Sequence, residues 1–314
     1  MNLMNDEKHY VTMNNYCQNK YHKKTYRIAL NGDFSCPNRD GTLSRTGCIF
    51  CSEKGSGDFA GKRGMSIKDQ FQEIKKMMET KWPDGYYIAY FQANTNTYGP
   101  LSKLKEVFSQ VVSKDFILDK RIKVLSIATR PDCLDEEKIN YLKELNKYIE
   151  VWVELGFQTA NEVTARFINR GYTNECFINS VLRLKEAGIY TVVHIINGLP
   201  FETKQDMLNT IKLVNSLNVE AVKIHMLHVM RHTPLGELYE KEPFPLLTLE
   251  EYVDIVVEEL RNLNENIVIQ RITGDAPKDL LIAPKWTLKK FVVMNEIDKV
   301  MRKNNYYQGD LCSK

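Results

Sequence analysis

The 314-residue sequence holds no apolar run long enough to cross a bilayer, and its opening residues, MNLMNDEKHY, lack the apolar centre of a secretory leader. These two absences set the expected address as cytoplasmic, with no membrane partner and with thiols kept reduced. There is no fixed-period repeat, low-complexity tract or long linker, which argues against solenoids and beaded arrays. Excess charge is scarce too: 43 Lys and Arg against 40 Asp and Glu leave +3, which permits nucleic-acid binding without requiring it. Cysteine is sparse and odd in number. Seven in a chain of this length do not make a disulfide framework and leave metal binding or catalysis for any that cluster. Three do cluster, in CPNRDGTLSRTGCIFC at 36–51, and the fourth ligand of an ordinary closed metal site is missing.

What is present is a core-forming composition, 43% hydrophobic and 26% charged. Short apolar or β-branched runs alternate with amphipathic ones. Strands are expected at Tyr26–Leu30, Tyr86–Phe91, Val124–Ala128, Val151–Leu155, Thr191–Ile196 and Ala221–Met226. Between them, SIKDQFQEIKKMMETKW places Ile67, Phe71, Ile74, Met78 and Trp82 on one helical face. Asn174 is placed to cap the next marked helix and Gly188 to end it. Thr203 caps another, and Thr248 with Glu251 forms a capping box. Strands alternating with helices imply a parallel sheet, and the pattern fits a doubly wound sheet or a barrel equally.

In either architecture ligands gather at the carboxyl ends of the strands. Six polar segments fall there: the cysteine loop after the first strand, then FQANTNTYGP, ATRPDC, ELGFQTAN, INGLPFET and HMLHVMRHTP. Past residue 235 the rhythm changes to one helix, a short strand (Ile267–Ile269), the loop RITGDAP and a Lys-rich helical tail. The expected division is an N-terminal segment 1–25, a sheet unit 26–235 and a capping extension 236–314.

Cys48-Ile49-Phe50-Cys51 brings two thiolates to one centre, and Gly41 and Gly47 let the loop fold back toward Cys36. Three thiolates can hold three irons of a [4Fe–4S] cluster and leave the fourth open, with Phe50 as a water shield. The competing reading is a zinc knuckle completed by His9, His22 or Cys17, in a non-catalytic RNA-binding protein.

CPNRDGTLSRTGCIFCSEKGSGDFAG, YFQANTNTYGP, IATRPDC, VELGFQT, INRGY, HIINGLP, KIHMLHVMRHTPL and QRITGDAP run in order through nearly the whole chain. Together they resemble the radical S-adenosylmethionine (SAM) superfamily, in a bacterial branch similar to the elongator catalytic subunit. The resemblance implies an α/β fold, a partial (β/α)6 TIM-type barrel with a C-terminal α/β extension. It implies a [4Fe–4S] cluster on Cys36, Cys48 and Cys51, SAM on the open iron, and a flavodoxin- or ferredoxin-type electron donor. Carried over by position, Gln92 and Asn94 lie near the methionine moiety, and Glu154 and Gln158 near the ribose. Arg170 is a candidate for the SAM carboxylate, and Gly198 and Pro200 frame the adenine.

The plainer alternatives are that Glu154 caps a helix, that Arg170 pairs with a surface carboxylate, and that the histidines are core residues. Two departures stand out: relatives often carry His at Tyr172 and Gly at Phe201, where Phe201 would narrow the adenine pocket. The GSGDFAG tail resembles a branch that matures tRNA wobble uridines. This implies conversion of 5-carboxymethylaminomethyluridine, or its 2-thio form, to the 5-aminomethyl base, by hydrogen abstraction, oxidation to an imine and hydrolysis. The same chemistry on a small molecule or protein is the alternative.

Substrate contacts are expected from Lys20, Lys23 and Lys24 in KYHKKTYR, taken to lie near the cluster loop, and from APKWTLKK (283–290), His194, His225, His228 and Arg271. His225 and His228, three apart on a strand, are expected on opposite faces. Oligomeric state is left open by the sequence.

Overall fold

The computed structural model describes Met4 and residues 8–312. Seven parallel strands make one sheet: β1 (Thr25–Leu30), β2 (Tyr86–Phe91), β3 (Ile122–Thr129), β4 (Glu150–Gln158), β5 (Tyr190–Asn197), β6 (Ala221–Met226) and β7 (Val268–Arg271). Their order in space equals their order in the chain. A doubly wound sheet reverses its order at a switch point; this one never does, so it curls.

The curl gives each strand two buried faces. Ile28, Leu30, Phe91, Leu125 and Val153 face the surrounding helices in the outer core. Ile88, Val124, Trp152, Val192, Ala221 and Val268 face inward and pack on one another. Burial on both faces is why the strands read as continuous apolar runs. Helix Met13–Tyr21 closes the foot of the barrel, where its Cys17 joins the inner cluster. The edges β1 and β7 are not neighbours in the ladder, yet Arg27 of β1 donates to Gln270 of β7. Side chains bridge the seam that backbone bonds leave open.

The seventh strand comes from the segment set apart as an extension, and pairs with β6 in parallel. The same segment supplies Leu281–Ala283, which pairs antiparallel with Val229–Met230 just past β6. Among the described residues, no helix is long and apolar enough to cross a membrane.

The local signals mostly hold. Helix Ile67–Glu79 buries Ile67 and Phe71, while Trp82 falls past its end and stacks on Tyr26 at 4.5 Å. Helices Lys204–Ser216 and Leu249–Arg261 both open with capping boxes, on Thr203 and Thr248. The cap of helix Asn174–Glu186 is Thr173, not Asn174: the Thr173 hydroxyl accepts from the Cys176 amide. Asn174 is engaged elsewhere, accepting from Arg170 and donating to the Ala160 carbonyl.

Candidate active site

The loop after β1 carries the three cysteines and is held from several sides. Arg39 N–H donates to Cys36 O at 2.8 Å, and Cys51 N–H to Cys48 O at 2.9 Å, so each end of the loop is a tight turn. INRGY clasps its middle: Ile49 N–H donates to Ile168 O, Asn169 Nδ2 to Gly47 O at 2.7 Å, and Asn38 Nδ2 to Asn169 O. The end of β2 clasps the GSGDFAG tail. Gln92 Nε2 donates to Ser56 O at 2.8 Å, and Asn94 N–H to Gly55 O. A Cβ on Gly55 would lie 1.9 Å from Asn94 Oδ1, and one on Gly57 2.5 Å from Ala93 Cβ, so both glycines are demanded by close packing.

All three cysteines are free and line one cavity of about 810 Å³, within the size range of small-molecule sites. Burial pushes the Cys48 thiol up to about 12, with Cys51 and Cys36 adding to the rise. Among the described residues, no three His, Cys, Asp or Glu are gathered to hold a single ion. The partners that the zinc reading needs lie elsewhere. Cys17 is in the barrel foot, His9 stacks on Tyr307, and His22 ends the first helix. Three thiols at the rim of a cavity fit a cluster that takes one sulfur per iron and leaves one iron facing that space.

Gln92, Asn94 and Gln158 line the same cavity, as do His194, His225, His228 and Arg271. His225 and His228 were expected on opposite faces, but β6 stops at Met226 and the alternation stops with it. Both rings therefore reach the cavity.

Below the mouth lies a charged floor. Glu154 is fully buried. Its Oε1 accepts from Ser126 Oγ at 2.7 Å and lies 3.4 Å from Arg27; its Oε2 meets His194 Nε2 at 2.7 Å and the Lys223 ammonium. Burial raises the carboxyl pKa, but Lys223 and Arg27 outweigh it and hold Glu154 well below the usual range. Burial, with Arg27 nearby, brings Lys223 down to about 7. Burial brings His194 down to about 4, so its ring is neutral. Removing one member of such a buried set costs about 3–5 kcal/mol.

Lys223 and Arg27 are site residues that the sequence reading missed. The signal was there: a lysine and an arginine stand inside strands that are largely apolar, AVKIHM and TYRIAL.

Five expectations need correction. Arg170 does not await the SAM carboxylate; it already lies 3.5 Å from the partly exposed carboxylate of Glu162. It is wholly buried, with Nη1 donating to the Phe157 and Thr159 carbonyls, Nε to Tyr172 O and Nη2 to Asn174. It is a staple inside the clasp, with its donors already engaged. Glu154 caps no helix; it lines the cavity, but its oxygens are already engaged by Ser126, Arg27, His194 and Lys223. Gly198 and Pro200 do not line the cavity, whereas Ile196 does. A Cβ on Gly198 would meet Leu247 at 3.0 Å, so that glycine admits a packing neighbour. Phe201 is 77% exposed and lies edge-on to Phe167 on the outer surface, narrowing nothing. Tyr172 does line the cavity, between the guanidinium groups of Arg130 and Arg170, each 4.8 Å from its ring.

The fifth correction concerns Lys20, Lys23 and Lys24, which precede β1 and so sit at the amino pole. Lys20 pairs with Glu150 at 2.5 Å, Lys23 lies over Tyr86 and Lys24 over Trp82. Six residues of strand, about 20 Å, separate them from the cysteine loop. Of APKWTLKK, Trp286 is tied to Leu247 O, and Lys290 reaches the rim by pairing with Asp275 beside Arg271.

A curled parallel half-barrel whose first loop presents three cysteines over a polar cavity defines a class of enzyme that holds a metal cluster beside a bound ligand. Residues 38–214 match the Radical SAM superfamily and 219–303 the Radical_SAM C-terminal domain. The chain is 44% identical to YtqA of Bacillus subtilis, over 97% of this chain and 93% of that one. It is 28% identical to a tRNA uridine(34) acetyltransferase of Methanocaldococcus jannaschii, over 52% of this chain and 30% of that protein. In fold it is similar to Elp3 of Methanocaldococcus infernus, with a TM-score of 0.65, 18% identity, and coverage of 90% of this chain and 64% of that one. The chain belongs to the radical SAM superfamily. Its cofactors are accordingly a [4Fe–4S] cluster and SAM.

Proposed function

We propose that this radical SAM enzyme modifies tRNA, converting 5-carboxymethylaminomethyluridine, or its 2-thio form, at the wobble position to the 5-aminomethyl base. The observation that carries the reading is the chemistry of the cavity. Arg27, Arg39, Arg130, Lys223 and Arg271 line it against Glu154, Asp58 and Asp275, which suits an anionic substrate. The relative that bears the name of a tRNA uridine-34 enzyme points the same way. A wobble base is unpaired, so it can be turned into a pocket at lower cost than a paired one.

Cys36, Cys48 and Cys51 hold the cluster in this reading, and Gln92, Asn94 and Gln158 face SAM. When bound, and supplied with an electron by a flavodoxin- or ferredoxin-type donor, the pair provides a radical able to remove an unactivated hydrogen. The chain's own work is positioning. Phe50 and Tyr172 limit water at the mouth, while the neutral rings of His194, His225 and His228 offer hydrogen bonds without adding charge. Holding the reacting carbon in place supplies much of the rate advantage.

Mass spectrometry of tRNA nucleosides from cells with and without the gene tests this. Loss of the aminomethyl base with accumulation of its carboxymethylaminomethyl precursor is expected. An unchanged nucleoside profile would turn the reading toward a small-molecule or protein substrate.

A further inference from the structure

Three side chains that line the cavity each carry a buried nitrogen with no partner: Arg27 Nε, Gln270 Nε2 and His225 Nε2. Arg27 is underused as well. Its Nη2 serves Glu154 and Gln270, but its Nη1 meets only the Met13 thioether sulfur, at 3.0 Å. Buried donors are normally satisfied, and an idle guanidinium nitrogen beside an idle amide and an idle imidazole nitrogen suits acceptor oxygens placed between them. Lys223 belongs to the same patch: it shares Glu154 with Arg27 and lies 4.6 Å from the Tyr90 ring. The patch sits where β1 and β7 face each other across the seam. Glu154 marks its depth, four residues before Gln158 on β4, or about 13 Å below the mouth.

We propose that this floor is a carboxylate-binding subsite, formed by Arg27, Gln270, His225 and Lys223, that anchors the acidic end of the substrate. It rests on the function proposed above, in which that end is the carboxylate of the carboxymethylaminomethyl group. Holding it at the floor leaves the adjoining methylene higher in the cavity, on the side of the cysteines.

The test is binding to the cluster-loaded enzyme with SAM present throughout. The probes are anticodon stem-loop RNAs that carry the wobble group as its acid or as its carboxamide. The wild type is expected to bind the acid about ten-fold tighter than the amide, the size of one charge-assisted contact. Arg27→Met and Gln270→Leu should erase most of that preference, and Gln270→Glu should reverse it, with SAM affinity unchanged in each. Should Arg27→Met not fold, the two Gln270 variants carry the test.

Equal binding of acid and amide by the wild type overturns the subsite. So does a parallel loss of both probes in the variants, or a matching loss of SAM affinity, which would assign the floor to the cofactor. N-benzylglycine and its amide separate this from the substrate reading. If neither RNA binds but the small acid is preferred ten-fold and in a Gln270-dependent way, the subsite stands and the tRNA reading falls. If neither pair shows a preference, the subsite falls.

Discussion

At the mouth of the barrel the polar side chains are held by main chain; at its floor they hold one another. Arg39, Gln92 and Asn169 donate to backbone carbonyls of the cysteine loop and its flank, and Asn38 of the loop donates to the Asn169 carbonyl. Glu154 instead gathers Ser126, Arg27, His194 and Lys223, from β3, β1, β5 and β6. The difference teaches how one fold keeps a replaceable site on a fixed base. Mouth residues shape a loop whose thiols bond within the loop, Cys48 accepting from Asn38 and Cys51 meeting Ser56, so a change of thiol leaves the strands tied as before. Floor residues tie strands together across the barrel, so their loss destabilises the fold.

Replacing a mouth residue that the fold does not need gives the largest effect. In Cys36→Ala, Cys48→Ala or Cys51→Ala, anaerobic assays should find cluster iron reduced and 5′-deoxyadenosine formation at background. In the cluster-free proteins the unfolding free energy should stay within about 0.5 kcal/mol of wild type for the Cys36 and Cys51 variants and fall by about 1 kcal/mol for Cys48→Ala, whose buried thiol accepts from Asn38. A Cys→Ala variant that keeps full activity would remove that thiol from the ligand set.

Glu154→Gln should do the reverse, lowering the unfolding free energy by about 3–5 kcal/mol in denaturant titrations, since Lys223 and Arg27 lose their counter-charge. The pH dependence sharpens this. The Glu154 carboxyl is held well below its usual 4.5 by Lys223 and Arg27 against burial, so its stabilisation is present above that value. It is lost as pH falls through the lower native value. The gap between wild type and variant should thus be full near neutrality and narrow in acid. A gap independent of pH would mean that shape, not charge, holds the floor.

How much of this was legible depended on whether a residue's role was local. The strands were readable because two-sided burial writes itself as runs such as YYIAYF and YTVVHII. The cap at Thr203 and the capping box of Thr248 with Glu251 lie within four residues of chain and were readable for the same reason. The cysteine loop was readable from its spacing and its ordered companions. Arg170 was not, because its partners come from the end of β4 and the start of the next long helix, and only folding brings them together. The floor was hidden likewise: Arg27 and Lys223 are near the opposite edges of the sheet, and only its curl makes them neighbours. His225 and His228 misled because alternation holds only while the strand lasts.

The smallest expected effect comes from the amino pole, the far end of the same barrel. KYHKKTYR mixes cations with aromatics, a pattern that suits RNA, yet folding engages it locally. Lys20 is paired with Glu150, and Lys23 and Lys24 lie over Tyr86 and Trp82. A wobble base that enters by the cysteine mouth is served by cations at that mouth. Replacing Lys20, Lys23 and Lys24 together with Ala should leave tRNA affinity within about two-fold and the salt slope of binding unchanged. Each phosphate that one of these lysines neutralised would instead lower the slope by about 0.9 for duplex and about 0.7 for single strand. A slope lower by about two such steps or more would mean that tRNA wraps the barrel to its foot, and the two poles would then form one surface.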